Sequence, residues 1–343
     1  MRFLSRLYGR AARSRRAWYG RHPGRVRHLA RPVISVGNLV VGGSGKTPVV
    51  ETIARLLLAA GEHPVILSRG YGRRRQADGV VVVSDGQRTR VPAEESGDEP
   101  QMLARALAGV PVLVSPDRYL AGRLAERRFG CTVHLLDDGF QHVQLARDIN
   151  LLVISKADLD ESLLPFGRLR EPLDAARAAD ALIVAGAEAD AEAVASQTSV
   201  TLAFRLQLRQ GEPRFIFKDF KEQGGNTGRR VVAVAGIARP ARFFDALRAG
   251  GWEVVRELAF RDHHWFGHRD VAAIARTAAD AGADLILTTE KDAARLEQHD
   301  LAVSPVPWAA VPLQVSIEPA LFMSWMQDRL REARRRRAGV EAA

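Results

Sequence analysis

Six consecutive residues, Gly42-Gly43-Ser44-Gly45-Lys46-Thr47, have the types and the order that phosphate binding requires. The glycines let backbone N–H groups curl around phosphate oxygens, and the N-terminus of a following helix adds its dipole. The lysine reaches the β and γ phosphates of a nucleotide, and the threonine hydroxyl binds Mg²⁺. The strict pattern has glycine at position 40, where this chain has Val40. We still predict a phosphate-binding loop (P-loop) for ATP that includes Val40, Val41 and residues 42–47.

A pair of carboxylates follows the apolar run Val133 to Leu136. A P-loop usually needs a carboxylate at the end of a neighbouring strand to hold the metal and its waters. Asp137 and Asp138 stand at such a place, so we predict that they hold Mg²⁺ together with Thr47. Paired aspartates after a strand can also simply make a turn. His142, on the same loop, is either a polar contact or an ordinary loop histidine.

Charged residues also gather at other predicted strand ends and loops. Asp98 stands just before a helix, where it could be an ordinary N-cap. Asp117-Arg118 follows a strand at the edge where open parallel sheets place their ligands. Residues 167–172 form a polar loop, for which solvated charge is the default. Asp262-His263-His264 could bind a metal, but without nearby cysteines this spacing is a weak signal.

The elements that must position these residues follow from hydrophobic periodicity. After Pro32, short apolar runs alternate with helical stretches, and this alternation predicts a parallel sheet covered on both faces. We predict a P-loop NTPase-like α/β domain over residues 32–202, with a mainly parallel sheet flanked by helices. An alternating segment at 203–228 predicts a β-ribbon and linker. A second, smaller α/β domain is predicted over 229–343.

The first 31 residues differ from the rest of the chain in charge and in hydrophobic pattern. Apolar residues between Arg2 and Tyr19 recur at helical spacing, with arginines on another face. The first 50 residues contain ten arginines, Lys46 and no acidic residue, so the rest of the chain is close to neutral. A basic amphipathic helix suits an anionic membrane surface, and the alternative is a helix that packs on the body of the protein with a solvated arginine face. Because the charge is confined to this segment, nucleic acid is not an expected partner.

Other features bound the location. The single cysteine, Cys131, lies in an apolar run and excludes an internal disulfide framework. No stretch reaches the roughly 18 consecutive apolar residues that a membrane span needs. We expect a protein in the cytoplasm, and no feature indicates an obligate protein partner. The arginine-rich tail from Arg329 to Arg337 is expected to be frayed and solvated.

Taken together, the motifs occur in an order that resembles one family. They comprise residues 37–47, Ser68 to Gly72, Gly97 to Pro100, Asp117-Arg118, Leu136 to His142, Leu169 to Pro172, Asp262-His263 and Thr289 to Asp292. The chain resembles the tetraacyldisaccharide 4′-kinase family, whose members phosphorylate a lipid disaccharide in the lipid A pathway. The resemblance extends from Arg31 to about Leu296. It implies ATP and Mg²⁺ as cofactors, an acylated disaccharide 1-phosphate as the acceptor, and a peripheral location on the cytoplasmic face of the inner membrane.

The resemblance also implies roles for individual residues. The position of Asp98 would act as general base on the sugar hydroxyl, coupled to the position of His263. Asp137 and Asp138 would serve Mg²⁺ and the nucleotide. Arg118 and Arg170 are expected near the transferring phosphoryl group or the substrate phosphate, together with Lys46. Substrate contacts are expected from Glu99, His142 and Glu171.

Two segments depart from the family pattern. Arg168 stands where proline is expected, and Ile154 to Leu159 replaces an Asp-Ala-Arg-Arg-like stretch. Within the latter, Ser155-Lys156-Ala157-Asp158 resembles the guanine-specificity element of GTPases. A GTPase is therefore one alternative to the kinase. A membrane-recruited ATPase that modifies no lipid is another.

Overall fold

The computed structural model describes residues 2–42, 45–75, 78–216, 228–296, 299–302 and 304–341. Its contacts divide the chain into two compact units. The first consists of Met1–Gln207 with Val315–Ala343, and the second of Leu208–Gln314. Gly43 and Ser44 of the predicted phosphate loop and residues 217–227 of the predicted linker lie outside the described residues.

Strands account for most of both cores. They are β1 (Val33–Gly37), β2 (Pro64–Ser68), β3 (Val81–Asp85), β4 (Pro111–Val114), β5 (Val133–Asp137), β6 (Ile149–Ser155), β7 (Ala181–Ala185), β8 (Ala203–Gln210), β9 (Arg214–Phe215), β10 (Arg230–Ala235), β11 (Glu253–Ala259), β12 (Leu285–Thr289), β13 (Trp308–Val311) and β14 (Leu313–Ile317). The helices are α1 (Arg2–Arg21), α2 (Lys46–Ala59), α3 (Ala93–Ser96), α4 (Asp98–Ala106), α5 (Arg118–Arg128), α6 (Glu188–Thr198), α7 (Pro240–Ala249), α8 (His268–Asp280), α9 (Glu290–Leu296) and α10 (Pro319–Glu341). Short 3₁₀ turns lie at Pro23–Arg25, Lys156–Asp158 and Leu173–Ala178.

The first unit contains a nine-stranded sheet in the order β14-β8-β7-β6-β1-β5-β2-β4-β3. The strands from β8 to β4 pair in parallel, and β3 is antiparallel to β4. Val33 of β1 packs with α5 on one face, while Ile34 and Val36 pack with α2, α4 and α10 on the other. Burial on both faces explains why β1 and β5 are mostly apolar. The predicted fold class, α/β with a mainly parallel sheet, is confirmed.

The C-terminal helix belongs to the first unit, whereas the sequence interpretation included it in the second domain. Phe322, Met326 and Leu330 of α10 are buried in the core cluster that also contains Phe204. The arginine tail is not frayed, because Arg329 and Arg337 donate hydrogen bonds to Asp180 and Asp148 of the same unit. These partners are more than a hundred residues away in sequence, and the helical pattern alone does not reveal them.

The second unit is a smaller α/β body. Its sheet has the order β11-β10-β12-β13-β9, with β9 antiparallel to β13 and the other pairs parallel. Helix α7 covers one face and α8 the other. The predicted ribbon at 203–228 has a different architecture in the described residues: β8 pairs with β7 of the first sheet, and β9 pairs with β13 of the second.

Every helix within the described residues is either too short or too polar to span a lipid bilayer.

Candidate active site

The predicted phosphate loop connects β1 to α2. Gly42 and Gly45 have φ of 91° and 78°, values that glycine adopts without steric cost, and Gly45 is the N-cap of α2. Glycine is also required at Gly37, where a Cβ atom would lie 2.6 Å from the backbone nitrogen of Phe140. The end of β1 can therefore approach the loop that follows β5. Helix α2 begins at this junction, and the first N–H groups of a helix have no partner within the helix itself.

The structure around Val40 explains why valine can stand where the strict pattern has glycine. Its side chain is 1% exposed and packs with Leu39, Phe140 and Leu169. Val40 and Leu169 form an antiparallel β-bridge, and the Arg170 amide donates to the Leu39 carbonyl over 2.7 Å. The segment before the glycines is thus fixed by a short β-pairing, which also sets the direction of the Arg170 side chain.

Two cations converge on Asp138. Arg170 donates to both carboxylate oxygens over 2.8 Å, and the Lys46 ammonium lies 3.4 Å from Oδ1. Burial alone would raise the pKa of Asp138, but the charges of Lys46 and Arg170 outweigh it and hold this pKa below its usual range. Asp138 has φ of 52°, which is uncommon for a non-glycine residue and turns the chain sharply after β5.

The pKa of Asp137 is shifted in the opposite direction from that of Asp138. It lies beside Val36 in the parallel register of β5 and β1, is 1% exposed, and accepts a 3.0 Å hydrogen bond from the Ser68 hydroxyl. Burial and the neighbouring charges of Glu99 and Asp138 raise its pKa to about 7. Its Oδ1 has no hydrogen-bond partner within the described residues. A buried carboxylate with one uncompensated oxygen fits a site for a divalent cation such as Mg²⁺.

Three side chains near Asp137 and Asp138 carry buried hydrogen-bond donors. Within the described part of the chain, Arg118 Nε, Arg170 Nε and Asn38 Nδ2 are buried without a partner. Burial and the charge of Arg69 lower the pKa of Arg118 to about 10, so its guanidinium stays charged at neutral pH. Buried donors rarely stay unpaired, so these three donors suit a ligand that supplies acceptor oxygens.

His142 differs from these cations. Burial and the charge of Arg118 lower its pKa to about 3, and the imidazole is therefore neutral at physiological pH. Asp117, predicted beside Arg118, is explained structurally. It caps α5 by accepting from the Tyr119 amide, and it forms a bidentate ion pair with Arg27.

Asp98 and Glu99 begin α4. Gly97, with φ of 88°, takes the N-cap position, so Asp98 is the first residue of the helix rather than its cap. A Cβ atom on Gly97 would lie 2.6 Å from the Tyr71 carbonyl oxygen, which shows how closely the segment after β2 packs against this helix start. Asp98 is 1% exposed, and Glu99 lies near enough to Asp137 to raise its pKa.

Glu171 is held by the N-terminal helix. The Arg16 guanidinium donates to its carboxylate over 2.5 Å and lies 4.7 Å from the centre of the Phe140 ring. Arg15 donates to the Gln141 carbonyl over 2.9 Å. Helix α1 therefore braces both loops that carry the predicted site, the one after Asp138 and the one after Arg170.

His263 lies in the second unit, in the loop between β11 and α8. It has φ of 58°, and its amide donates to the Gly236 carbonyl over 3.1 Å. The neighbouring His264 pairs with Asp270 over 3.0 Å and stacks on Phe260. Among the described residues, no cluster of three or more His, Cys, Asp or Glu side chains could hold a metal.

Comparisons with known proteins identify the family. The family model described as "LpxK: Tetraacyldisaccharide-1-P 4'-kinase" matches residues 1–331. The chain belongs to the tetraacyldisaccharide-1-P 4′-kinase family. The protein named tetraacyldisaccharide 4′-kinase from Geobacter metallireducens is 43% identical over 300 residues, covering 85% of this chain and 87% of the relative. A Bradyrhizobium sp. protein of the same name is 42% identical over 344 residues, covering 97% and 92%.

A solved structure is also similar. It is described as an "apo" form of LpxK from Aquifex aeolicus in complex with ATP, and it matches with a TM-score of 0.75 and 33% identity. The match covers 95% of this chain and 97% of that one. The resemblance noted from the motifs is confirmed, and this member of the 4′-kinase family is a transferase of the kinase class.

The GTPase-like segment of this 4′-kinase family member has a local structural function. The Asp158 carboxylate accepts from the Ser155 amide over 2.9 Å and from the Ser155 hydroxyl over 2.8 Å. Asp158 is 5% exposed, and Lys156 pairs with Asp190 over 3.2 Å. The side chain that would recognise guanine thus closes its own 3₁₀ turn.

The sequence analysis assigned no role to three residues that shape the candidate site: Asn38 and Ser68, which lie within the family-like motifs, and Arg16. Asn38 Oδ1 accepts from Lys46 over 3.0 Å and also from Arg170. An asparagine directly after a buried strand and before a glycine turn is a signal that could have found it. Arg168, the departure from the family pattern, donates to the Val41 carbonyl over 2.7 Å and so supports the same loop.

Proposed function

We propose that this chain transfers the γ-phosphoryl group of ATP to the 4′-hydroxyl of a tetraacyldisaccharide 1-phosphate, at the carboxyl edge of β1 and β5. Family membership and the names of the relatives support this reaction. The observation that carries the site assignment is the cluster of partly buried cations and unpaired buried donors beside the phosphate loop, within the described residues. A triphosphate supplies the acceptor oxygens that such donors need.

The nucleotide is assigned to the loop of Val40, Val41 and residues 42–47. The glycine backbone and the N-terminus of α2 bind the phosphates, and Lys46 reaches the β and γ phosphates. Thr47, Asp137 and Asp138 are the residues assigned to Mg²⁺, which when bound offsets charge on the β and γ phosphates. Binding of the phosphates would draw Lys46 and Arg170 away from Asp138 and free its carboxylate for the metal.

The reaction needs one proton acceptor. The oxygen of the sugar hydroxyl forms a bond to the γ-phosphorus, while the bond from that phosphorus to the β,γ-bridging oxygen breaks and ADP leaves. The hydroxyl proton goes to the carboxylate of Asp98, to which we assign the role of general base, with His263 in support. Arg118 and Arg170 offset the charge of the transferring group, and neutral His142, Glu99 and Glu171 are assigned to the substrate.

Helix α1 supports a peripheral location on the cytoplasmic face of the inner membrane. Its docking face is made of small residues: Ser5 donates to the Leu163 carbonyl, and a Cβ atom on Gly9 would lie 2.8 Å from the Leu163 side chain. Phe3 and Leu7, on the opposite side of the helix, are 74% and 54% exposed. The helix thus packs on the body and also presents an apolar face flanked by arginines, which suits an anionic lipid surface.

Acceptor-dependent nucleotide consumption tests the proposal. The purified chain is incubated with Mg²⁺ and either ATP or GTP, with and without tetraacyldisaccharide 1-phosphate in detergent, and the release of nucleoside diphosphate is measured. We expect ATP turnover that requires the lipid. Turnover of GTP or ATP that is independent of the lipid would instead support a GTPase or an ATPase.

A further inference from the structure

The proposed reaction assigns no role to the family-like motif Thr289 to Asp292. This motif spans the end of β12 and the start of α9 in the second unit. Asp292 and Arg295 are 0% and 1% exposed and form an ion pair of 3.1 Å. Burying two charged groups costs free energy because both lose their hydration, whereas an apolar contact carries no such cost. A fully buried pair therefore calls for a specific structural purpose.

The contacts of this pair converge on Gly236, directly after β10. The Gly236 amide donates to Asp292 Oδ2 over 3.0 Å, and the Thr289 hydroxyl donates to the same oxygen over 2.7 Å. Arg295 Nη1 donates to the Gly236 carbonyl over 3.2 Å and to the His264 carbonyl over 3.1 Å. A Cβ atom at Gly236 would lie 2.9 Å from Asp292 Oδ1, so only glycine allows this approach.

His263 lies between these contacts in the chain. The His263 amide donates to the Gly236 carbonyl over 3.1 Å, and the backbone carbonyl of the neighbouring His264 accepts from Arg295. Its φ of 58° is a conformation that non-glycine residues keep only when the surrounding structure holds them there. Arg295 thus holds the Gly236 carbonyl, which accepts from the His263 amide, and the carbonyl of the following residue, while Asp292 holds the Gly236 amide.

We infer that Thr289, Asp292 and Arg295 are positioning residues that hold His263 in its left-handed conformation and so direct its imidazole. This inference rests on the role in proton removal proposed for His263. Asp292 holds Gly236, Gly236 holds the His263 amide, and Arg295 fixes the next carbonyl. None of the three positioning residues touches substrate in this scheme.

A double-mutant cycle in the full-length chain tests the inference. Arg295→Lys keeps the charge but loses the planar donor geometry. We expect it to lower kcat about 10- to 100-fold, as misplacement of a supporting group does, with little change in KM for MgATP. In the background of His263→Ala the same substitution should change kcat less than about twofold, because residues that act through one another are not additive. Arg248→Lys, at a half-exposed ion pair of the same unit, is the matched control and should leave kcat unchanged.

Amide hydrogen exchange at His263 tests the structural part without any activity. Exchange should be faster in Arg295→Lys than in the parent chain. Thr289→Val, which removes a donor to Asp292 without exposing a buried charge, should show the same effect more weakly, and Thr289→Ser should restore the parent behaviour. If Arg295→Lys does not fold, the Thr289 variants decide the question with the same cycle.

The outcomes separate this inference from the proposed function. If His263→Ala is inactive while Arg295→Lys and Thr289→Val retain both full kcat and His263 amide protection, the inference is wrong and the proposed function stands. Losses that add fully in the double variant also overturn it. Full activity of His263→Ala would show that His263 has no role in proton removal, and the inference would fall with it.

Discussion

Replacing Asp137 by asparagine should make the metal-free protein more stable in alkaline solution. Asp137 is buried, its pKa is raised to about 7, and its Oδ1 lacks a partner among the described residues. Above that pH the folded protein holds an uncompensated carboxylate. Asparagine has nearly the same shape, retains an oxygen that can accept from Ser68, and carries no charge.

The magnitude follows from the shift in pKa. Because the folded pKa of Asp137 lies above its unfolded value of 3.8, the folded state binds the proton more tightly, and its stability falls as pH rises between the two values. A shift from 3.8 to about 7 corresponds to about 4 kcal/mol in full, at 1.36 kcal/mol per unit. Most of this, about 3 kcal/mol, is lost between pH 5 and pH 8. Local relaxation around the charge lowers the observed value, so we expect about 1 to 3 kcal/mol.

Urea denaturation in EDTA measures this quantity. The free energy of unfolding is compared for parent and Asp137→Asn at pH 5 and at pH 8, so that other titrating groups cancel. Asp138→Asn is the control of opposite sign, because the pKa of Asp138 is depressed and its ion pairs with Lys46 and Arg170 stabilise the folded state above its unfolded pKa. That stabilisation is lost as pH falls.

Mg²⁺ adds a second comparison. At pH 8 it should stabilise the parent, since it would compensate the Asp137 carboxylate, and should stabilise Asp137→Asn less. A parent protein that is as stable relative to Asp137→Asn at pH 8 as at pH 5 would refute the electrostatic reasoning. Equal stabilisation of both proteins by Mg²⁺ would refute the assignment of Asp137 to the metal.

Three further predictions concern the base, the helix brace and the exposed helix face. Asp98→Ala should lower kcat by about 10²- to 10⁴-fold and leave MgATP affinity in a binding titration nearly unchanged; retention of most of the rate would show that another group takes the proton. Arg16→Ala breaks the bond to the buried Glu171 carboxylate, so it should cost about 2 kcal/mol of stability and reduce kcat. The control Arg13→Ala, whose side chain is 56% exposed in its ion pair, should cost less than about 1 kcal/mol. Equal effects of the two substitutions in denaturation and kinetics would contradict the proposal that α1 braces the site loops through Arg16. The double substitution Phe3→Ser and Leu7→Ser should weaken sedimentation with anionic vesicles without lowering the melting temperature. The control Leu321→Ser, at an equally exposed apolar residue of α10, should leave this sedimentation unchanged. An equal loss of sedimentation in all variants would contradict a specific membrane face.

The sequence predicts most of the first sheet because its strands are mostly apolar runs between helices. The same local logic identifies the phosphate loop and the Asp137-Asp138 pair, since strand, turn and helix occur in register. It does not identify Arg16, because this residue binds a carboxylate 155 positions away and nothing in its neighbours marks the contact. The interpretation of α1 also left open whether the helix packs on the body or faces lipid; the structure shows that it packs on the body and leaves Phe3 and Leu7 exposed.

Longer-range pairings explain the remaining differences. Helix α10 joins the first unit because Phe322 and Met326 fill the cluster around Phe204, a contact that no local pattern reports. The segment at 203–228 was expected as one ribbon, but its two described strands extend different sheets. The resemblance of Ser155 to Asp158 to a guanine-binding element is a similarity of residue types only, because the Asp158 carboxylate is used within its own turn.

Identification of the lipid product tests the central claim most directly. The chain is incubated with Mg²⁺, ATP labelled in the γ-phosphate and a tetraacyldisaccharide 1-phosphate, and the extracted lipid is analysed by mass spectrometry and ³¹P NMR. The account predicts a product that has gained one labelled phosphate as a monoester at the 4′ position, and no such product from Lys46→Ala. Label that is released only as inorganic phosphate, with the lipid unchanged, would contradict it.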